Sequence, residues 1–279
     1  MGGAAHHDLV QLDQSGRFPE AWFVEEWDVE STAAGLDGKS VLVTGAAHRV
    51  GAEIVRTLHR AGANIVLHYR SSGAPAEAIR DQLEAQRAGS IALLQGDLLD
   101  TAALPGLVAR ATAVWGQLDV LINNASTFYP TPVETATEDQ WEDLMGTNLK
   151  APFFLSQAAY PALAARRGCI VNLVDVHADR PMPQHPIYSM AKAGLAMMTK
   201  SLARELGPEV RVNGIAPGVV LWPEGGASDD YRREVLERTA LGRPGDPRDI
   251  ARAVRFLIAD AEYVTGEIIR VDGGRSLNI

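Results

Sequence analysis

This sequence predicts an α/β domain whose parallel sheet is covered on both faces. Three observations point there. From about residue 39 onward, short β-branched runs alternate with longer amphipathic stretches; nearly all of the runs are apolar throughout; and a glycine-containing turn follows the first of them. A strand that is apolar on both faces needs cover on both sides, and helices crossing between parallel strands supply it.

The elements follow in order. SVLVTG at 40–45 opens the sheet, and the periodic stretch near 51–62 behind its glycine turn reads as the first helix. NIVLHY at 64–69 with a helix near 75–88, and SIALLQGD at 90–97 with a helix near 101–115, repeat the unit. LDVLINNAS at 118–126 leads to a long helical stretch near 137–165, and GCIVNLVD at 168–175 to a helix near 187–206. VRVNGIAPG at 210–218 runs into a segment rich in Gly, Pro and charge at 219–245, the expected substrate loop. A helix near 247–259 and the strand EIIRVDGG at 267–274 close the chain. The architecture expected is a single Rossmann-like, doubly wound domain over residues 39–279.

Residues 1–38 stand apart. Their first part is polar and without pattern, and AWFVEEWDVE then sets Trp22, Phe23 and Trp27 among acids. They read as an extension that either docks on the domain or a neighbouring subunit, or is disordered.

Composition narrows the function. With a net charge of −9 the chain has no electrostatic footprint for nucleic acid. No apolar run approaches the roughly 20 residues of a membrane helix, and the N-terminus lacks the order of a secretory signal, so a cytoplasmic location is expected. The lone Cys169 cannot form an internal disulfide and reads as a small buried residue. No metal site is expected.

In such sheets ligands gather beyond the carboxyl ends of the strands. The first turn there is Thr44-Gly45-Ala46-Ala47-His48-Arg49-Val50-Gly51: Gly45 permits a sharp turn, Gly51 a close helix, and the helix-start amides can face a pyrophosphate with Arg49 beside it. The second strand ends in His68-Tyr69-Arg70-Ser71-Ser72 with no acid. A carboxylate there would suit the ribose diol of NAD, whereas cation and hydroxyl donors suit the 2′-phosphate of NADPH, the cofactor expected. Asp97 ends the third strand as an acceptor for an adenine amino group, and Asn123-Asn124-Ala125-Ser126 ends the fourth. Tyr188 and Lys192, four apart on a helical stretch, leave one face, and Asp175 closes an apolar strand. With Asp175 beside them they could supply a cation that favours the tyrosinate and two groups able to relay a proton; taken alone the Tyr/Lys pair reads as a core tyrosine and a solvated lysine, and the rest of the chain overturns that reading.

These residues carry a resemblance to the short-chain dehydrogenase/reductases, and within them to the bacterial pteridine reductases, over about residues 39–279. Tyr188-Ser189-Met190-Ala191-Lys192, Pro217-Gly218 and Val271-Asp272-Gly273-Gly274 match the general pattern. Arg49 in place of a glycine, Ser126 in place of the last glycine of NNAG and Asp175 in place of a serine depart from it as pteridine reductases do, and NNASTFYPTP at 123–132 and LWPEG at 221–225 agree.

The resemblance implies hydride transfer from NADPH to a ring C=N of a dihydropterin or dihydrofolate. Tyr188 would donate the proton, Lys192 would favour the tyrosinate and hold the nicotinamide ribose, Asp175 would relay, and Asn148 would support a relay water. It extends the cofactor set to His48, Val50 and Leu98. Phe128 would stack on the pterin, in preference to ordinary loop packing, and Arg49 and Ser126 would bond its edge. Trp222 is either a pocket wall or an anchor of the substrate loop. His177 and His185 match no catalytic position and read as loop residues. A homotetramer formed by the long helices is implied. Two alternatives stand beside this reading: a carbonyl reductase of the same fold, such as one acting on 3-oxoacyl thioesters, and a non-catalytic NADP-binding protein.

Overall fold

The computed structural model describes residues 35–222 and 228–278, so most of the expected N-terminal extension lies outside the described residues. Packing reaches back to Leu36, three residues ahead of the expected domain start: its side chain is wholly buried and its amide donates to the Ala61 carbonyl.

All seven expected strands form: β1 (Ser40–Val43), β2 (Asn64–Tyr69), β3 (Ile91–Gln95), β4 (Val120–Asn123), β5 (Cys169–Leu173), β6 (Arg211–Pro217) and β7 (Ile268–Val271). They make one parallel sheet in the order β3-β2-β1-β4-β5-β6-β7. Helices α1 (Arg49–Arg60), α2 (Gly73–Glu84) and α3 (Leu104–Ala113) follow β1, β2 and β3. The chain then returns to β4 on the far side of β1. That reversal leaves the carboxyl ends of β1 and β4 as the topological switch point.

The long helical stretch after β4 is divided into α4 (Glu138–Met145), a π-helical turn (Gly146–Lys150) and α5 (Ala151–Ala165). Within it the Ala151 amide reaches back five residues to the Gly146 carbonyl, and Pro152 has no N–H to offer Asn148. β5 leads to α6 (Pro186–Leu206), and α8 (Pro247–Ala259) precedes β7. One core packs α1, α2 and α8 on one face of the sheet and another packs α3 and α5 on the other.

The expected substrate loop contains a helix, α7 (Asp229–Glu237). DDYRREVLE buries only Val235 and so presents no apolar stripe, but Ser228 accepting the Tyr231 amide ahead of Asp229 and Asp230 is a helix start written in the sequence.

Candidate active site

The switch point is held open by glycine and locked by amides. Gly45 has φ +60, and a Cβ on it would lie 2.8 Å from the Ala125 Cα; one on Gly51 would lie 2.6 Å from the Asn124 Nδ2. Thr44 Oγ1 accepts the Asn124 and Ala125 amides at 3.0 Å each, and Asn124 Nδ2 donates to the carbonyls of Thr44 at 2.8 Å and Gly45 at 3.0 Å. Asn124 therefore spends its amide on the turn.

α1 begins here with no side-chain cap from His48 and no acid in its first turn, and α2 likewise starts at Ser72 uncapped and acid-free. α3, α5 and α6 start in the same way, whereas α4, α7 and α8 each carry a capping side chain and first-turn acids, so it is the place of α1 and α2 directly behind β1 and β2 that sets them apart. The two helix starts at the cofactor edge are thus left suited to anions. His48 and Arg49 are exposed, Val50 is partly so, and Arg49 holds a left-handed backbone at φ +51. Its guanidinium lies 3.4 Å from the Trp222 carbonyl.

His68 has a different task from the one expected. It is 1% exposed; Nδ1 accepts the Gly45 amide at 3.2 Å, Nε2 lies 3.2 Å from the Gly96 carbonyl, and burial pulls its pKa down to about 4. A neutral ring tying two turns together offers no cation to a phosphate. Tyr69 and Ser72 are partly exposed and Arg70 and Ser71 exposed at the end of β2. Asp97 is exposed beyond β3 and accepts the Leu99 amide, while the Leu98 side chain is core, leaving only its main chain to face a ligand.

Across the sheet, three hydrogen bonds zip α6 onto the end of β5. Asn172 Nδ2 donates to Thr199 Oγ1 at 2.9 Å, Lys192 Nζ to the Leu173 carbonyl at 2.8 Å, and Tyr188 Oη to Asp175 Oδ2 at 2.8 Å. The other Asp175 oxygen accepts the His177 amide. Burial, the Asp175 charge and the bond to it hold the Tyr188 phenol well above its ordinary value, against a smaller pull from the Ser126 hydroxyl. Burial draws Lys192 down to about 8, with Asp175 pulling back. Lys192 was expected to favour the tyrosinate, but in the chain alone the balance favours the phenol, and Nζ stands 5.6 Å from the ring centroid. A low-dielectric site with a carboxylate against the hydroxyl keeps the proton on the pair.

The sequence reading missed the polar chain behind this zip. Asn123 Nδ2 donates to Asn172 Oδ1 at 2.8 Å and lies 3.3 Å from Ser156 Oγ, and Asn172 passes the chain on to Thr199. The signal was present: an asparagine inside each of the apolar strands VLIN and CIVNL must find a partner when buried.

The segment after β4 closes the site. Asn148 sits in the π turn, 1% exposed; its Nδ2 donates to the carbonyls of Leu144 at 2.9 Å and Thr127 at 3.0 Å, and its Oδ1 accepts from Ser126 Oγ at 2.6 Å. It positions residues 126–127, and its hydrogen bonds do not reach Lys192. Phe128, 46% exposed, meets Tyr188 edge-on at 4.9 Å. Gly218 follows Pro217 where a Cβ would strike the Asp272 Cα at 2.8 Å. Trp222 packs on α7, its ring 6.4 Å from Tyr231 and 5.5 Å from the Arg232 guanidinium, as an anchor does. His185, read as a loop residue, is the N-cap of α6 and lies against Phe128.

Asp175, Tyr188, Lys192, Ser126, Phe128 and Asn148 are thus gathered into one cluster beside the β1 turn, an arrangement of a Rossmann-type oxidoreductase. Residues 45–276 match the family described as enoyl-(acyl carrier protein) reductase, and the chain belongs to the short-chain dehydrogenase/reductase family. It is 36% identical to "Pteridine reductase 1" of Leishmania tarentolae over 85% of this chain and 96% of that protein. It is also 36% identical to the 3-oxoacyl-[acyl-carrier-protein] reductase FabG of Staphylococcus aureus, over 85% and 97%, and to an uncharacterized oxidoreductase of Methylorubrum extorquens, over 86% and 98%.

Proposed function

We propose that the protein is an NADPH-dependent pteridine reductase of the cytoplasm, acting on a dihydropterin or dihydrofolate. The observation that carries the reading is the direct 2.8 Å hydrogen bond from Tyr188 to Asp175. A serine at 175 suits a carbonyl oxygen that gathers negative charge; a carboxyl paired with a phenol suits delivery of a proton to a ring nitrogen.

The residues at the switch point fit NADPH. The glycine-lined turn and uncapped start of α1 take a pyrophosphate; Tyr69, Arg70, Ser71 and Ser72 take the 2′-phosphate; Asp97 and the Leu98 main chain take the adenine; and Ala125, Ser126, Pro217, Gly218, Tyr188 and Lys192 take the nicotinamide end. When bound, the nicotinamide supplies a hydride. Tyr188 holds the proton at its phenol oxygen, Asp175 keeps it there until the ring nitrogen accepts it, and Lys192 holds the local positive charge. Phe128 offers a flat apolar face, and Ser126 and Arg49 bond the polar edge of the substrate. The largely apolar groove between the π turn, α5 and α6, with Phe153 and Met197 exposed, is the face assigned to a homotetramer.

Equal identity to the 3-oxoacyl reductase favours one competing reading, a thioester carbonyl reductase. Oxidation of NADPH, followed by absorbance with dihydrobiopterin, dihydrofolate, folate and a 3-oxoacyl thioester offered in parallel and repeated with NADH, separates the two. Turnover confined to pterins and NADPH is expected, and turnover on the thioester alone would reject the proposal.

The backbone of Arg49 yields a second expectation. A left-handed non-glycine residue costs about 1–2 kcal/mol, and glycine gives back part of the relief as chain entropy of about 0.4–1 kcal/mol. Arg49→Gly is therefore expected to leave thermal stability unchanged or slightly raised while weakening NADPH and pterin binding. A large fall in Tm with unchanged binding would show Arg49 to be structural.

A further inference from the structure

We infer that His185 is a positioning residue that fixes the stacking face of Phe128 relative to the Tyr188 hydroxyl; the inference rests on the pterin reading. The two rings lie parallel, 11° apart with centroids 4.7 Å from each other, so the imidazole covers one face of the phenyl ring. Tyr188 covers its edge at 78°. The face turned away from His185 is what remains for a flat ligand, and Phe128 is nearly half exposed.

His185 is itself held on several sides. It is 7% exposed, and its Nδ1 lies 2.8 Å from the Pro183 carbonyl, an acceptor only, so that nitrogen carries the hydrogen. Its amide donates to Met182 at 3.1 Å. The residue before it, Gln184, is left-handed at φ +61, and its carbonyl accepts the Thr131 amide at 2.7 Å, stitching the wall that carries Phe128 to the turn that carries His185. Strain of this kind persists only where the surroundings enforce it. His185 and Tyr188 stand three apart at the start of α6, so one helical turn grips Phe128 by face and by edge. The stacking platform and the proton donor are thereby set at a fixed spacing, which a reaction needing ring and hydroxyl together requires.

Two variants separate the ring from its tether. His185→Asn keeps a donor for Pro183 and loses the stack; His185→Phe keeps the stack and loses the donor. With dihydrobiopterin and NADPH, His185→Asn is expected to raise KM about three- to ten-fold, the range an aromatic pair supports, and to lower kcat as the ring and the hydroxyl lose their spacing, while His185→Phe stays within about twofold on both. Crystal structures of the two proteins, which need no substrate, are expected to show Phe128 in its present place with Phe at 185 and displaced or in several rotamers with Asn. A wild-type KM and an unmoved Phe128 in His185→Asn would overturn the inference, as would equal damage in both variants. If the wild-type protein reduces no pterin, the proposed function falls, and the pair of structures still decides whether His185 holds Phe128.

Discussion

Tyr188→Phe is expected to lower kcat for pterin reduction by about 10²–10⁴-fold, the usual span for a lost general acid. The substitution removes the hydroxyl that donates to Asp175 and keeps the ring that packs with Leu144, Ile187 and Phe128. Affinity for NADPH, read by fluorescence titration, should change little, and the Tm should stay close to wild type. A kcat within a few-fold of wild type would move the proton donor elsewhere, with Asp175 the nearest candidate.

Asp175→Ser should separate the two substrate classes. Loss of most dihydropterin reduction is expected, together with retained or newly measurable reduction of a 3-oxoacyl thioester. Near-normal pterin turnover would defeat the role given to the carboxylate. The pH profile supplies an independent reading. Two of the three influences that raise the Tyr188 pKa come from Asp175, and Asp175 also raises Lys192. Removing it lowers both. If Tyr188 must be protonated to act, activity falls as pH climbs through its pKa, so the basic limb of kcat/KM should move to lower pH in the variant.

Much of this was written in the sequence, for reasons that also explain what was not. The central strands β1, β4 and β5 were legible because a strand buried on both faces is apolar along its whole length, and the edge strands β3 and β7, only partly covered, from their short β-branched or aliphatic runs bounded by glycine. Their order in the sheet was not, since pairing between distant segments leaves no local mark. Tyr188, Lys192 and Asp175 were legible as a unit from spacing and strand ending; that the phenol faces the carboxylate, and the ammonium a main-chain carbonyl, depends on how α6 lies on β5. His68 was misread because its place in a basic, hydroxyl-rich turn looked like a phosphate site, while its side chain points into the fold between Gly45 and Gly96. His185 was passed over because a stack on a residue 57 positions away has no signature in either neighbourhood.

The π turn at 146–150 has a consequence for the rod that contains it. In an unbroken α-helix Leu144 and Ala151, seven residues apart, would point in nearly the same direction. Here Leu144 joins the small cluster with Ile187 and Tyr188, while Ala151 joins Leu155, Ala159 and Leu163 against the sheet. The widened turn is a phase slip: one surplus residue rotates everything after it by about 100°. A single stiff element thereby serves two separate interiors, one lining the chemistry and one carrying the fold. Deleting any one residue from the turn would bring the two halves back into phase, and the chain would have to give up one interior to keep the other.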